Sequence, residues 1–497
     1  MHTLIHDKGR AMSFIADDLL LFGATGDLAQ RMLLPSLYGL HADGLVPPDL
    51  AIFGTARSPH DDDSFRKLAA EALEKFVPAD RLNDAAVASF LPRLRYVPVD
   101  VTKDEDFARL ADAVRPVAAD KGLAIFLSTA PDFFAPTIAG LKGAGLTGDK
   151  VRLALEKPLG HSLASSREVN DAVLDAFTEE QTFRIDHYLG KETVQNLLVL
   201  RFGNLMFEPL WNNKGIDYVQ ITIGETVGLE GRAGYYDGSG ALRDMVQNHM
   251  LQLLAIVAME PPARFDATAI RNEKVKVLTA LRPIVASARD DTVTGQYSAG
   301  VAGGTGAPGY LDELGHASDT ETFVAIRAHV DNWRWAGVPF YLRTGKRLPV
   351  RTSEIVIQFK GVPHSIFKDR GGRLHRNRLV IKLQPEELIR MLVMAKVPGL
   401  DREGIDLREV PLDLSLTSAF AASRRRIAYE RLLLDLLEGD PTLFVRRDEV
   451  EAQWQWIDGI RKGWAMNQVT PKAYPAGTWG PAAAIALTER DGVHWND

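Results

Sequence analysis

The densest concentration of chemically able side chains is the run Arg184-Ile185-Asp186-His187-Tyr188-Leu189-Gly190-Lys191-Glu192. His187, Tyr188 and Lys191 offer an imidazole, a phenol and an ammonium within one short turn, a density of donors that suits a phosphate and that a purely structural segment rarely needs. Neighbours on an extended segment point opposite ways, so Asp186 and His187 are expected to serve different partners, one orienting a base and one meeting an anion. Leu155-Glu156-Lys157-Pro158-Leu159-Gly160 brings a second lysine to a strand end that the proline stops. A third stretch, Gly240 to Gln252, reads as a helix that turns very apolar yet keeps Asp244, Gln247, Asn248 and His249 in its middle. These are candidates for a pocket wall, with a satisfied core histidine as the alternative for His249. Asp244 and His249 are five apart. On a helix of ~3.6 residues per turn that is about 140° of arc, so Asp244 is not expected to orient His249.

Gly23-Ala24-Thr25-Gly26-Asp27-Leu28-Ala29 follows an apolar strand and opens a helical pattern. Glycines there let the backbone approach a pyrophosphate, and the N–H groups of the helix start supply donors and a favourable dipole. The spacing departs from G-x-G-x-x-G, and an ordinary strand–helix turn is the alternative. The next strand ends in Gly54-Thr55-Ala56-Arg57-Ser58, with no acid to hold an unmodified ribose and with a guanidinium that suits a 2′-phosphate. NADP is therefore favoured over NAD, the alternative being a surface arginine in a loop.

Those residues need elements to hold them. Short apolar runs alternate with helical patterns from about Asp18 to Ile185, which is the signature of βαβ units around a parallel sheet. The spacing predicts strands at Leu19–Phe22, Ala51–Gly54, Tyr96–Val99, Ala124–Ser128, Val151–Leu155 and Thr182–Ile185. Helices are expected at Asp63–Phe76, Ala85–Arg93 and Phe107–Ala119. Ligands of open α/β sheets bind beyond the carboxyl ends of the strands, which is where Gly23, Lys157 and Asp186 fall.

After Ile185 the rhythm changes. Alternating runs at Tyr218–Gly224, Thr322–Val330, Pro339–Thr344, Ser353–Phe359 and Arg378–Leu383 predict a mostly antiparallel sheet. Helical patterns at Gly240–Met259, Thr268–Leu281, Ala419–Leu437 and Glu449–Lys462 accompany it. The expected organisation is an α/β Rossmann-type domain over 14–186 and an α+β domain over 187–497 built on a large, mostly antiparallel sheet. Gly300–Gly309 reads as a mobile surface loop, and Arg424–Arg426 as a solvated helix face beside Glu430.

Bulk properties narrow the function classes. A length of 497 residues exceeds what one hydrophobic core supports. A net charge of −7 argues against a nucleic-acid partner. The chain has no cysteine, which excludes thiolate chemistry and Cys-based zinc sites and fits the cytoplasm. No metal site is expected. The most apolar stretch, around Met250–Met259, is too short to span a bilayer, and Met1–Ser13 lacks the apolar run of a secretory signal and reads as a tail.

Taken in order, the Gly23 turn, Glu156-Lys157-Pro158, Arg184–Glu192, Asp244–His249 and the stretch Asp331–Leu348, which ends in Leu342-Arg343-Thr344-Gly345-Lys346-Arg347-Leu348, resemble the glucose-6-phosphate dehydrogenase family from Gly23 to Gln384. The resemblance implies oxidation of glucose 6-phosphate at C1 to 6-phosphogluconolactone, the entry to the oxidative pentose phosphate pathway. It implies His249 as general base with Asp186 holding its imidazole, and His187, Tyr188 and Lys191 gripping the substrate phosphate. Lys157, Glu225, Asp244 and Lys346 would meet sugar hydroxyls or phosphate, with Gln384 near the site. Gly23, Thr25, Gly26, Asp27, Arg57 and Lys157 would serve NADP. The family often carries a second basic residue soon after the glycine turn, and Gln30-Arg31-Met32 puts Met32 there, which implies weaker discrimination and NAD as an alternative acceptor. A homodimer or homotetramer is also implied.

A sugar oxidoreductase of the glucose–fructose type would share the two-domain plan and the Glu-Lys-Pro strand end, but would have no use for His187, Tyr188 and Lys191 together. A non-catalytic nucleotide sensor would be expected to have lost its base, yet His249 and Asp186 are present.

Overall fold

The computed structural model describes residues 16, 18–47, 49–118, 122–367, 373–400, 405–420 and 424–496. The expected tail at Met1–Ser13 lies outside them. The chain forms two compact units, one of Met1–Gly190 with Arg264–Arg271 and Arg426–Val450, the other of Lys191–Ala263, Asn272–Arg425 and Glu451–Asp497.

The first unit is built on the expected parallel sheet. Its strands are β1 (Asp18–Phe22), β2 (Ala51–Thr55), β3 (Leu94–Tyr96), β4 (Leu123–Leu127), β5 (Val151–Leu155) and β6 (Thr182–Arg184), in the order β3-β2-β1-β4-β5-β6. Helices cover both faces, so β1 and β4 are buried along their whole length and, apart from Asp18 at the start of β1, read as apolar runs. The register aligns the strand ends: Phe22 stands opposite Thr55 and Leu127, Leu127 opposite Leu155, and Leu155 opposite Arg184. The residues that follow these strands therefore emerge along one edge. β3 lies two residues earlier than the alternation suggested, because Val97-Pro98-Val99 continues as extended chain in which Val97 and Val99 donate to Gly54 and Ala56 beyond the ladder.

The second unit contains a nine-stranded sheet. Its strands are β7 (Ile216–Gly224), β8 (Thr292–Ser298), β11 (Phe323–His329), β12 (Pro339–Gly345), β13 (Thr352–Phe359), β14 (Arg378–Gln384), β15 (Leu388–Lys396), β16 (Leu407–Ser415) and β17 (Lys472–Pro475). A separate hairpin comprises β9 (Gly300–Ala302) and β10 (Thr305–Ala307). The order is β16-β15-β14-β13-β7-β12-β11-β8-β17, antiparallel except at β7–β12 and β8–β17. One face packs an aromatic core of Tyr236, Tyr297, Tyr310, Phe323, Tyr341, Tyr474 and Trp495.

Four expectations are corrected. Gly300–Gly309 is not an open loop but the β9–β10 hairpin, turned at Gly303 and Gly304 with φ of 58° and 80° and tied through Val301 N–H to the Ala476 carbonyl. The helix expected over Ala419–Leu437 begins only at Ala428, and Arg424–Ile427 is non-helical. Arg425 and Arg426 are engaged there in ion pairs with Glu387 at 3.0 Å and with Asp43 and Glu430 at 2.8 Å, not spread on a solvated face. The long helix expected over Gly240–Met259 starts just after a positive φ at Gly240, and its first part, Leu242–Met250, is wound as a π-helix before the α-helix Leu251–Ala258.

Candidate active site

In the first unit, the glycine turn is fastened to the end of β2. Gly23 and Ala24 donate their N–H groups to the Thr55 carbonyl at 2.8 and 3.2 Å. Gly23 has φ of 76°, and a Cβ there would stand 2.8 Å from the Ser128 carbonyl oxygen, so the position accepts only glycine. Gly26 N–H closes back on the Gly23 carbonyl, Gln30 ties down the Thr25 carbonyl, and a helical start follows at once. This cradle fits a dinucleotide pyrophosphate: tight backbone, helix N-terminus, no side chain in the way. Asp27 is exposed and paired with Arg31 at 2.7 Å. Arg57 is exposed just past β2, its guanidinium 5.8 Å from the Phe133 ring centroid.

Farther along the same sheet edge stand Glu156-Lys157 after β5 and Asp186-His187-Tyr188 after β6. The chain does not stay extended past Arg184; it turns over His187–Gly190, so strand alternation is not what separates Asp186 from His187. Asp186 is 2% exposed and organises the turn, its Oδ1 accepting the Tyr188 N–H at 3.0 Å and its carbonyl the Leu189 N–H at 3.0 Å. Tyr429, from the late helix Ala428–Glu438, stacks on the His187 ring and donates its hydroxyl to Glu156 at 2.8 Å. Burial pushes the Glu156 carboxyl up to about 7, opposed by the Tyr429 hydrogen bond and by the charge of Lys157.

In the second unit, parallel pairing of β7 with β12 sets Gly224 opposite Gly345, and the next residues on each strand form an ion pair, Lys346 Nζ to Glu225 Oε2 at 2.9 Å. The Lys346 ammonium also lies 4.9 Å from the Tyr236 ring centroid. Burial lifts the Tyr236 phenol well above its ordinary range, and the nearby carboxylates of Asp244, Glu225 and Glu321 push the same way. Lysine, phenol and three acids are thus neighbours in this unit. Lys191, at the start of the helix Glu192–Phe202, donates to Gln384 Oε1 at 3.0 Å, and Gln384 in turn donates to Ser353 Oγ at 2.8 Å.

His249 is 1% exposed near the end of the π-helical segment, and Asp244 is partly exposed near its start. The i→i+5 bonding of a π-helix brings residues five apart onto nearly one face, so the angular argument that separated Asp244 from His249 on an ideal α-helix does not apply here. Sequence reasoning missed Tyr236, Ser353, Glu321 and Tyr429. The Tyr235-Tyr236 pair ahead of Gly238-Ser239-Gly240 was the one local signal; the others matter through partners distant in the chain.

Comparison with known proteins adds a family. The model described as the glucose-6-phosphate dehydrogenase NAD binding domain matches residues 20–196, and that of the C-terminal domain matches residues 198–496. Glucose-6-phosphate 1-dehydrogenase of Zymomonas mobilis is 66% identical over 487 residues, covering 98% of this chain and 100% of the relative. The enzyme of the same name from Rhizobium meliloti is 52% identical over 482 residues, 97% of each chain. A solved glucose-6-phosphate dehydrogenase in complex with its substrate glucose 6-phosphate superposes with a TM-score of 0.89 at 35% identity, covering 98% of this chain and 100% of that one. The Mycobacterium avium enzyme gives 0.82 at 34% identity, over 97% of this chain and 99% of that one.

Proposed function

The chain belongs to the glucose-6-phosphate dehydrogenase family, and on that premise we propose that it oxidises D-glucose 6-phosphate at C1 to 6-phospho-D-glucono-1,5-lactone, with hydride transfer to NADP. The observation that carries this reading lies within the first unit: a glycine turn built for a pyrophosphate and a donor-rich turn suited to a sugar phosphate stand on one edge of one parallel sheet.

His187, Tyr188, Lys191 and Lys157 hold the phosphate, converting a chance encounter into an oriented one. Lys346, Glu225, Asp244 and Gln384 meet the sugar hydroxyls, the Lys346–Glu225 pair offering both a donor and an acceptor. His249 takes the C1 hydroxyl proton onto its imidazole as the C1 hydrogen departs with both electrons, and the carbonyl of the lactone forms. Asp186 holds that imidazole in place. Gly23, Thr25, Gly26 and Asp27 seat the dinucleotide, and Arg57 receives its 2′-phosphate. When bound, the nicotinamide supplies the hydride acceptor, a redox chemistry no side chain here offers.

The pairing of Arg31 with Asp27, together with Met32, leaves the 2′-phosphate mainly to Arg57, so NAD serves as a second, poorer acceptor. Among the described residues no helix is long and apolar enough to cross a membrane. We assign the enzyme to the cytoplasm as a homodimer or homotetramer. Paired absorbance assays of nicotinamide reduction, glucose 6-phosphate with NADP and then with NAD, test the reading. Reduction with NADP exceeding that with NAD is expected; no reduction of either, or equal activity on free glucose, would refute it.

A further inference from the structure

The segment that carries Asp244 and His249 starts at a break. Gly240 adopts φ 70° and ψ 172°, which ends the preceding helical turns and leaves the π-helical stretch with its own set of unsatisfied N–H groups. No side chain of its own caps this start. Two of the free groups are taken instead by one residue from far along the chain: Ala241 N–H donates to the Glu321 carbonyl at 2.9 Å, and Leu242 N–H donates to Glu321 Oε1 at 3.0 Å. The break is shaped for this visitor, because a Cβ on residue 240 would collide with the Glu321 carboxylate. Burial raises the Glu321 carboxyl above its ordinary value, and the Leu242 hydrogen bond and the charges of Arg243 and Arg461 oppose that rise.

Glu321 immediately precedes Thr322, whose carbonyl accepts the Lys346 N–H at 2.9 Å. The dipeptide Glu321-Thr322 ahead of β11 therefore braces the start of the helix that bears His249 and the backbone of Lys346 together. We propose that Glu321 is a positioning residue for the oxidation: its carboxylate caps the π-helical segment from outside and fixes where Asp244 and His249 stand relative to Lys346. A carboxylate is well suited to the task, since it accepts the orphan N–H and complements the positive end of the helix dipole.

This inference rests on the reaction assigned above, and its test separates the two. Glu321→Ala removes the acceptor, whereas Glu321→Gln keeps an oxygen within reach of Leu242. For Glu321→Ala, kcat is expected to fall about 10- to 100-fold, the scale set by a misplaced reacting group, with the KM for NADP unchanged. Glu321→Gln restores most of kcat. Amide hydrogen exchange, read without substrate, should show Leu242 losing protection in Glu321→Ala and keeping it in Glu321→Gln. Wild-type kcat in Glu321→Ala, an equal loss in both variants, or unchanged protection at Leu242 would overturn the proposal. Should the unaltered chain fail to oxidise glucose 6-phosphate, the reaction assignment falls, and exchange at Leu242 still decides whether Glu321 is the cap.

Discussion

Replacing Arg57 by alanine tests its proposed role as the receiver of the 2′-phosphate of NADP. A charge-assisted hydrogen bond is worth about 1.5–3 kcal/mol, and the exposure of Arg57 places its contact to a phosphate at the low end, about 1.5 kcal/mol. That corresponds to a rise of about 10- to 20-fold in the KM for NADP. NAD carries no 2′-phosphate, so its KM should stay near that of the unaltered enzyme. Arg31 offers only limited compensation, because it would first have to leave Asp27, and an exposed pair of that kind is held by about 1 kcal/mol or less. Arg57→Lys should recover part of the loss as a point charge without the planar fork. Initial rates against each cofactor at saturating glucose 6-phosphate give both constants. Equal rises for NADP and NAD, or no rise for either, would refute the assignment of Arg57 to the 2′-phosphate.

Glu156→Gln should change the pH dependence of stability. The folded carboxyl sits at about 7 against an ordinary 4.5, so the folded chain binds the proton more tightly. Its stabilising contribution is fully present below about 4.5 and lost as pH rises through about 7, by about 3 kcal/mol. Denaturant unfolding at a series of pH values should show a shallower decline in Glu156→Gln, with buried Asp435, also near 7, supplying the remaining slope; identical slopes would contradict the burial argument. Tyr236→Leu removes the ring beneath the Lys346 ammonium and should raise the KM for glucose 6-phosphate about 2- to 30-fold, from a cation–π contact of about 0.5–2 kcal/mol. Tyr236→Phe keeps the ring and should leave KM near wild type, and a comparable rise in both variants would count against the contact.

The parallel sheet was legible because strands buried on both faces, such as Leu19–Phe22 and Leu123–Leu127, have no polar phase to blur the pattern. The strand β8 was not, since Thr292-Val293-Thr294-Gly295-Gln296-Tyr297-Ser298 mixes small and polar residues that are buried only by their neighbours. The edge strand β16 hides behind Pro411 and charges at Arg408, Glu409 and Asp413, devices that keep an edge from pairing further. Of the candidate site, the residues clustered in the chain, Asp186 to Lys191 and Asp244 to His249, could be picked out by type and spacing. The Lys346–Glu225 pair rests on the register of β7 with β12, which no local pattern reports; the resemblance to the family named the two residues but not their pairing. The π-helical winding escaped for the same kind of reason. It begins at Leu242, just after the left-handed Gly240, where Glu321, a residue remote in sequence, accepts the Leu242 N–H.

The proposed reaction turns on His249 removing the proton from the anomeric hydroxyl. Steady-state turnover of His249→Asn, paired with calorimetric titration of glucose 6-phosphate, separates that role from substrate binding. A fall in kcat on the order of 10²- to 10⁴-fold is expected, the usual contribution of a general base, while affinity for the sugar phosphate stays close to that of the unaltered chain. Turnover that survives the substitution undiminished would contradict it.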